Sequence, residues 1–411
     1  MLVVGCALLN DGSSSASPAA TPCSHTPALP SGVPAAIAVD PFSSSGIHHP
    51  LCLNVHGAGV NGAPLVASYS TPTGYTPATI KNYLGLSGTG SGQTIAIVDA
   101  YDDPNIAADL ANFDSTFGLP APASFKKVTQ TGATSGYPAS DATWALEIAL
   151  DVEWAHAIAP AASILLVEAK STTFADMDTA ISYATKQTAV TVISNSWGAV
   201  EFSGETTLDT YCKQSAKLCV FATGDYGNPG TYPAYSPYVL AVGGTNLSLA
   251  SDGSVSSEVA WGYSGGGVSL YEAKPTFQGG TATKRGIPDV SFDGDPATGF
   301  AVYDSVPYSG QSGWFQMGGT SAGAPQWAAI VAVADQLRKA AGKAVLSGTS
   351  TKSAYMANAD VYGVTSGIAD ISTGSANGSC GTICSPGAGF DFVTGRGSPR
   401  KGIDLALKAA P

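Results

Sequence analysis

The chain has 411 residues, enough for one large hydrophobic core or two modest ones, and its 44% apolar content is that of a globular protein. Only 12% of residues are charged, the formal net charge is -12, and no basic run exists to neutralise phosphates, which argues against a nucleic-acid partner. A surface so poor in ionisable groups loses little when carboxylates protonate, so the composition suits an acidic medium.

At the N-terminus, Leu2-Val3-Val4-Gly5-Cys6 looks like a bacterial lipobox, although the charged start and most of the apolar run of a signal are missing. Export is therefore expected, with any membrane attachment made through a lipid at Cys6. Residues 1–31 combine this signal remnant with a Ser/Pro-rich tether that shows no periodicity. A short extension over 32–75 carries His48, His49 and His56, which are expected to be incidental polar residues. The compact domain is placed over 76–411.

Within that domain a short amphipathic helix is expected over 78–84. Apolar runs at 94–99, 163–167, 190–194, 219–222 and 239–242 suit buried strands, and helical segments lie between them at 104–117, 141–158, 174–186 and 206–215. This alternation predicts an α/β fold with a mostly parallel central sheet and helices on both faces. The Gly- and Ser-rich stretch 245–316 reads as loops and hairpins beside the sheet, and a long helix is expected over 320–341. Three sequence-adjacent pairs, Cys23 with Cys52, Cys212 with Cys219 and Cys380 with Cys384, would use six of the seven cysteines, although spacing alone leaves the connectivity open. With few histidines and none near them, disulfides in an oxidising compartment are favoured over metal binding. The spacing of Cys380 and Cys384 is one residue too long for a C-x-x-C redox motif, so it reads as a loop staple.

Gly318-Gly319-Thr320-Ser321-Ala322-Gly323-Ala324-Pro325 delivers one serine to the start of an apolar helix, and no histidine follows it. A serine hydroxyl needs a neighbouring base, and the candidates are Glu147 and Asp151, four residues apart on one face of a helix. In an apolar segment such a pair tends to share one proton, which separates the two pKa values. Their bland alternative is a solvated helix face, with Glu153 also outward. Asp225, in Gly224-Asp225-Tyr226-Gly227, follows a strand at the sheet edge where ligands of open parallel sheets bind, or it is simply a turn former. Trp197 reaches the same edge and either lines a cleft or caps the core.

Taken in order, Glu147 and Asp151, Asn195-Ser196-Trp197-Gly198, Gly224-Asp225, Ser264-Gly265-Gly266-Gly267, Pro288-Asp289-Val290-Ser291 and Gly319-Thr320-Ser321-Ala322-Gly323-Ala324-Pro325 resemble the sedolisins, the serine-carboxyl peptidases. The resemblance runs from about Tyr75 to the C-terminus. It implies a subtilisin-like fold and endo- or exopeptidase action on peptide or protein substrates at acid pH; the enzyme is expected to be a monomer. It also implies roles: Ser321 as nucleophile, Glu147 as general base, Asp151 as the carboxylate that tunes it, and Asp225 as oxyanion stabiliser. The chemistry is coherent, because a histidine of pKa about 6.5 would be only about 0.3% neutral at about pH 4, whereas a carboxylate stays substantially ionised.

The same resemblance implies one calcium site, built from Asp370, Asp391 and the backbone carbonyls of Ile371, Gly387 and Gly389, all hard oxygen donors. Sedolisins usually carry a long folded prosegment, and the residues before position 76 are too few for one.

Three other readings remain. Ile95-Ala96-Ile97-Val98-Asp99 resembles the aspartate strand of subtilisins, but none of the five histidines sits in the turn that family needs, and His156 reads as a helix-end residue. Gly319-Thr320-Ser321-Ala322-Gly323 also matches the esterase elbow, whose histidine must follow the serine. The third is an exported binding module that retains the fold without activity.

Overall fold

Alternation inside the buried strands builds a sheet with two covered faces. The computed structural model describes residues 69–411 apart from 251, 281, 347–355 and 379. The lipobox-like segment ending at Cys6, the expected tether, Cys23, Cys52, His48, His49 and His56 lie outside the described residues. In chain order the first half runs α1 (Pro77–Leu84), β1 (Thr94–Ala100), α2 (Ile106–Phe117), β2 (Phe125–Thr129), α3 (Ala142–Ile158), β3 (Ser163–Ala169), α4 (Phe174–Lys186), β4 (Val190–Asn195), α5 (Thr210–Lys213) and β5 (Leu218–Ala222). Then come β6 (Val239–Leu249), β7 (Val255–Ala260), β8 (Gly267–Ala273), β9 (Lys284–Ile287), β10 (Val290–Asp293), β11 (Phe300–Tyr308), β12 (Gln311–Met317) and α6 (Thr320–Ala340). The chain closes with α7 (Met356–Gly363), β13 (Ile368–Ala369), β14 (Ser398–Pro399) and α8 (Ile403–Ala409).

The main sheet has the order β10-β6-β5-β4-β1-β3-β2, parallel throughout, with β7 added antiparallel to β6. In β1, Ile95 and Ile97 join a cluster with Leu146 and Leu150 of α3 and Trp327 of α6. Ala96, Val98 and Ala100 join a second cluster with Met177 and Ile181 of α4. One strand thus feeds both cores because its side chains alternate across the pleat. α3 is buried on every side from Trp144 to Ile158, as expected of a helix that is apolar all round, and Asp141 caps it by accepting from the N–H groups of Thr143 and Trp144 at 3.0 and 3.1 Å.

Three elements depart from the sequence-based expectation. β2 escaped it because Phe125-Lys126-Lys127-Val128-Thr129 is an edge strand, where lysines are tolerated and the apolar run is broken. The helix expected over 206–215 contracts to α5 preceded by a turn at Glu205–Thr207, since so short a polar segment gains little from helix propagation. Residues 69–75, assigned to the extension, dock on the β11–β12 hairpin: the Tyr69 N–H donates to Trp314 O and the Tyr75 N–H to Gly299 O, both at 2.7 Å. Cys212 pairs with Cys219 and Cys380 with Cys384. Among the described residues no helix is long and apolar enough to cross a membrane.

Many of the carboxyl groups are inside. Burial pushes Asp178 up to about 8, Asp335 to about 7, and Glu168 to about 9 despite the Lys127 ammonium 3.6 Å away. Their folded pKa values exceed the unfolded ones of about 4, so between those limits the folded chain binds more protons than the unfolded chain. This stabilisation is complete below about pH 4 and is lost as pH rises through about 7 to 9. Calorimetric melting in chelator should therefore show the highest Tm at acid pH and a loss of several kcal/mol towards pH 8; a Tm that rises from pH 4 to 8 would contradict it.

Candidate active site

The carboxyl ends of β1, β4 and β5 deliver Asp99, Ser196 and Asp225 to one edge of the sheet, the edge where open parallel sheets place their ligands. α3 brings Glu147 and Asp151 from one side, and α6 begins there with Ser321 in its first turn. The turn into α6 depends on Gly319, whose φ of 100° lies in the left-handed region. A Cβ there would also stand 2.6 Å from Asp225 Oδ2. Gly319→Ala should therefore lower kcat by on the order of 10²-fold in a protein that still folds, because displacement of a reacting group by about 1 Å has that effect. Steady-state kinetics beside a melting curve checks this.

Ser321 is 3% exposed, and Glu147, Asp151 and Asp99 are fully buried, which rules out the solvated helix face; Glu153 is buried too. Asp151 Oδ1 accepts from Ser196 Oγ at 2.9 Å, and the same hydroxyl lies 3.4 Å from Ser321 O. That carbonyl is available because Pro325, one helical turn on, has no N–H to offer it. The Ser321 hydroxyl acts on the Glu147 carboxylate as a donor that lowers its pKa, yet Oγ and both Glu147 oxygens stop short of a formed hydrogen bond. We read this contact as a loose resting arrangement of the kind that tightens when substrate arrives.

Burial raises both Glu147 and Asp151 well above the ordinary carboxylate range; Asp99 raises both further, Glu147 raises Asp151, and Asp225 raises Glu147. Asp99 itself is pushed up to about 7 by burial, and neither of its oxygens has a partner. Three carboxyl groups so close and so dry cannot all ionise, and they titrate as one proton-sharing unit.

Asp225 is held differently. Its Oδ1 accepts from the Thr320 N–H at 2.7 Å and Thr320 Oγ1 at 2.8 Å, while Thr320 Oγ1 accepts from the Gly224 N–H at 3.0 Å. Burial lifts its pKa to about 7 against those hydrogen bonds. Below that pH the acid is neutral, and with Oδ1 committed as an acceptor the proton belongs on Oδ2, the oxygen turned towards Gly319.

The remaining motif residues are structural. Trp197 is fully buried, donates its indole N–H to Val98 O at 3.0 Å and packs edge-on against Phe221, so it caps the core. Ser264 ties Gly244 N–H to Val393 O. Asp289 forms a buried bidentate ion pair with Arg285, both contacts 2.6 Å. His156, the only histidine among the described residues, closes α3 with Nε2 2.9 Å from Pro120 O. Sequence reading passed over Ser196, Thr320 and Pro325, although each lies inside a motif it quoted; their roles depend on contacts between segments far apart in the chain.

The loops bearing Asp370, Ile371, Gly387, Gly389 and Asp391 meet. The Gly389 N–H donates to Asp370 Oδ2 at 2.7 Å, the Gly387 N–H to Asp391 Oδ2 at 3.0 Å, and Thr394 Oγ1 to Ile371 O at 3.0 Å.

Comparison with known proteins agrees with this arrangement. The pattern of the subtilase family matches residues 131–382. Kumamolisin of Bacillus sp. (strain MN-32) is 32% identical over 374 residues, which are 80% of this chain and 63% of that protein. Sedolisin of Pseudomonas sp. (strain 101) is 27% identical over 394 residues, 86% of this chain and 63% of that protein, so the chain spans under two thirds of the length of both relatives. The solved structure of Pseudomonas sedolisin, a serine-carboxyl proteinase complexed with two molecules of pseudo-iodotyrostatin, superposes with a TM-score of 0.68 at 26% identity, covering 83% of this chain and 98% of that one. With a doubly covered parallel sheet of the same architecture and a serine set against carboxyl groups, the chain belongs to the subtilase family, in its sedolisin branch.

Proposed function

We propose that the chain is an exported serine-carboxyl peptidase that hydrolyses peptide bonds in an acidic medium. The observation that carries this reading is the buried Ser321 hydroxyl set against Glu147, with Asp151 and Asp99 behind it and no histidine among the described residues near the site. Glu147 takes the proton of Ser321 Oγ as that oxygen attacks the scissile carbonyl carbon. The oxyanion develops beside the protonated Asp225 and the positive end of α6. Glu147 then gives the proton to the leaving amine, the C–N bond breaks, and an acyl-enzyme remains on Ser321. A water, deprotonated by Glu147, attacks the acyl carbon, the ester C–O bond breaks, and Ser321 Oγ takes the proton back from Glu147 as the acid product leaves. Asp151, oriented by Ser196, holds the second proton of the pair and sets when Glu147 is ionised.

Calcium fits the loops around Asp370 and Asp391, because two carboxylates and the carbonyls of Ile371, Gly387 and Gly389 are all hard oxygen donors. The ion would tie the two loops together there, away from the reacting groups. The disulfides Cys212–Cys219 and Cys380–Cys384 support an oxidising destination.

The test is hydrolysis of a denatured protein by the folded, calcium-loaded chain across about pH 3 to 8, with mass spectrometry for an adduct of a peptide aldehyde on Ser321. Cleavage with an optimum below neutrality, together with the adduct, is expected. Absence of both would leave the binding-module reading in its place.

A further inference from the structure

A second group of carboxylates, on the other side of α3, has no role in the catalysis above. Asp103 follows β1, Asp109 is in the first turn of α2, and Asp304 lies on β11; they are 0%, 2% and 0% exposed. One oxygen from each lies within 4.8 Å of the others. A hard cation binds oxygen at about 2.4 Å, so ligands on opposite sides of it stand about 4.8 Å apart. The group has the size of one ion's shell.

Each carboxylate is oriented by a donor. Asp103 Oδ1 accepts from the Asn105 N–H at 2.8 Å and Asp304 Oδ1 from the Val306 N–H at 2.7 Å. Asp109 Oδ2 accepts from Ser305 N–H and Oγ, both at 3.0 Å. What remains is the second and independent observation: Asp103 Oδ2 and Asp304 Oδ2 are buried with no hydrogen-bond partner. Glu153 of α3, fully buried, uses Oε2 to accept from the Tyr303 N–H at 3.0 Å, has no partner for Oε1, and is close enough to feel the charge of all three aspartates. Lys127 does not fill the gap, since its ammonium is engaged by Asp102 Oδ1 and Asp103 O. Oxygen acceptors buried without donors are costly, and a single cation satisfies all of them at once where protons would satisfy them only in pairs.

We propose that Asp103, Asp109 and Asp304, backed by Glu153, form a second cation site, for a hard divalent ion of the calcium class. Bound there, the ion clamps the start of α2 and the β11–β12 hairpin to α3, the helix that carries the catalytic base. The proposal does not depend on the peptidase reading.

The experiment uses the full chain in a Ser321→Ala background to prevent self-digestion, stripped with chelator and dialysed against Ca²⁺ at about pH 7.5. Metal analysis should find about one equivalent fewer in Asp304→Asn and in Asp103→Asn than in the parent, while Asp370→Asn keeps the ion at the cluster. The Ca²⁺-dependent rise in Tm that survives Asp370→Asn should vanish in Asp370→Asn/Asp304→Asn. Equal stoichiometry in parent, Asp304→Asn and Asp103→Asn would overturn the proposal. Should neither variant fold, Mn²⁺-soaked crystals of the parent decide: an anomalous peak among the three carboxylates supports the site, and none refutes it.

Discussion

Ser321→Ala is expected to lower kcat by on the order of 10⁴- to 10⁶-fold, the range seen when a serine nucleophile is removed from a triad that acts as a unit. The fold should not register the change. Ser321 Oγ is buried without a hydrogen bond, so its removal breaks none and leaves a void smaller than a water molecule. Glu147→Gln should be nearly as severe, since an amide cannot take the hydroxyl proton. It should also raise Tm at neutral and alkaline pH, where ionisation strains a fully buried cluster in which Asp99 and Glu147 each make ionisation of Asp151 harder, and leave Tm unchanged at acid pH, where Glu147 is already neutral. Loss of activity with a gain in stability is the signature of a group kept for chemistry. Glu147→Gln with undiminished kcat would move the base elsewhere, and with His156 turned away into the Pro120 carbonyl, Asp151 or Asp99 would be next in line.

Much of this was legible in the sequence, for reasons that differ between elements. The buried strands announced themselves as short apolar runs, and α3 and α6 by length, so the parallel sheet and its two helical layers followed from pattern alone. Glu147, Asp151, Asp225 and Ser321 stood out because they interrupt apolar segments or occupy glycine turns. The edge strand β2 did not, since its two lysines, Lys126 exposed and Lys127 turned onto Asp102, break the apolar pattern. Nor did the dependence of Ser321 on Pro325 and Ser196: whether a carbonyl lacks its helical partner can be read along the chain, but which hydroxyl then lies beside it depends on packing between β4 and α6. Asp99 stood out only as the end of a strand resembling the aspartate strand of subtilisins, and its burial beside Glu147 and Asp151 is what makes it part of one titrating unit. The cluster of Asp103, Asp109 and Asp304 was invisible, because its members come from three elements and no local spacing links them.

Asp225→Ala is the second large effect, a fall in kcat of on the order of 10²- to 10³-fold, the usual consequence of removing one oxyanion donor. The pH dependence separates this role from a merely structural one. A carboxyl group can donate to the oxyanion only while protonated, and Asp225 has a folded pKa of about 7. Its contribution is therefore complete at acid pH and is lost as pH rises through about 7, which sets the alkaline limb of the kcat profile. The acid limb belongs to the unit of Glu147, Asp151 and Asp99, whose macroscopic ionisation must free one carboxylate to act as base. Asp225→Asn keeps Oδ1 in place to accept from Thr320 N–H and Oγ1 and puts an amide N–H where the acid proton stood. This variant should retain more activity than Asp225→Ala and lose the limb near pH 7, because an amide donates at every pH. If Asp225→Asn instead kept that limb unchanged, the alkaline decline would belong to another group and Asp225 would be a support for the Thr320 turn alone.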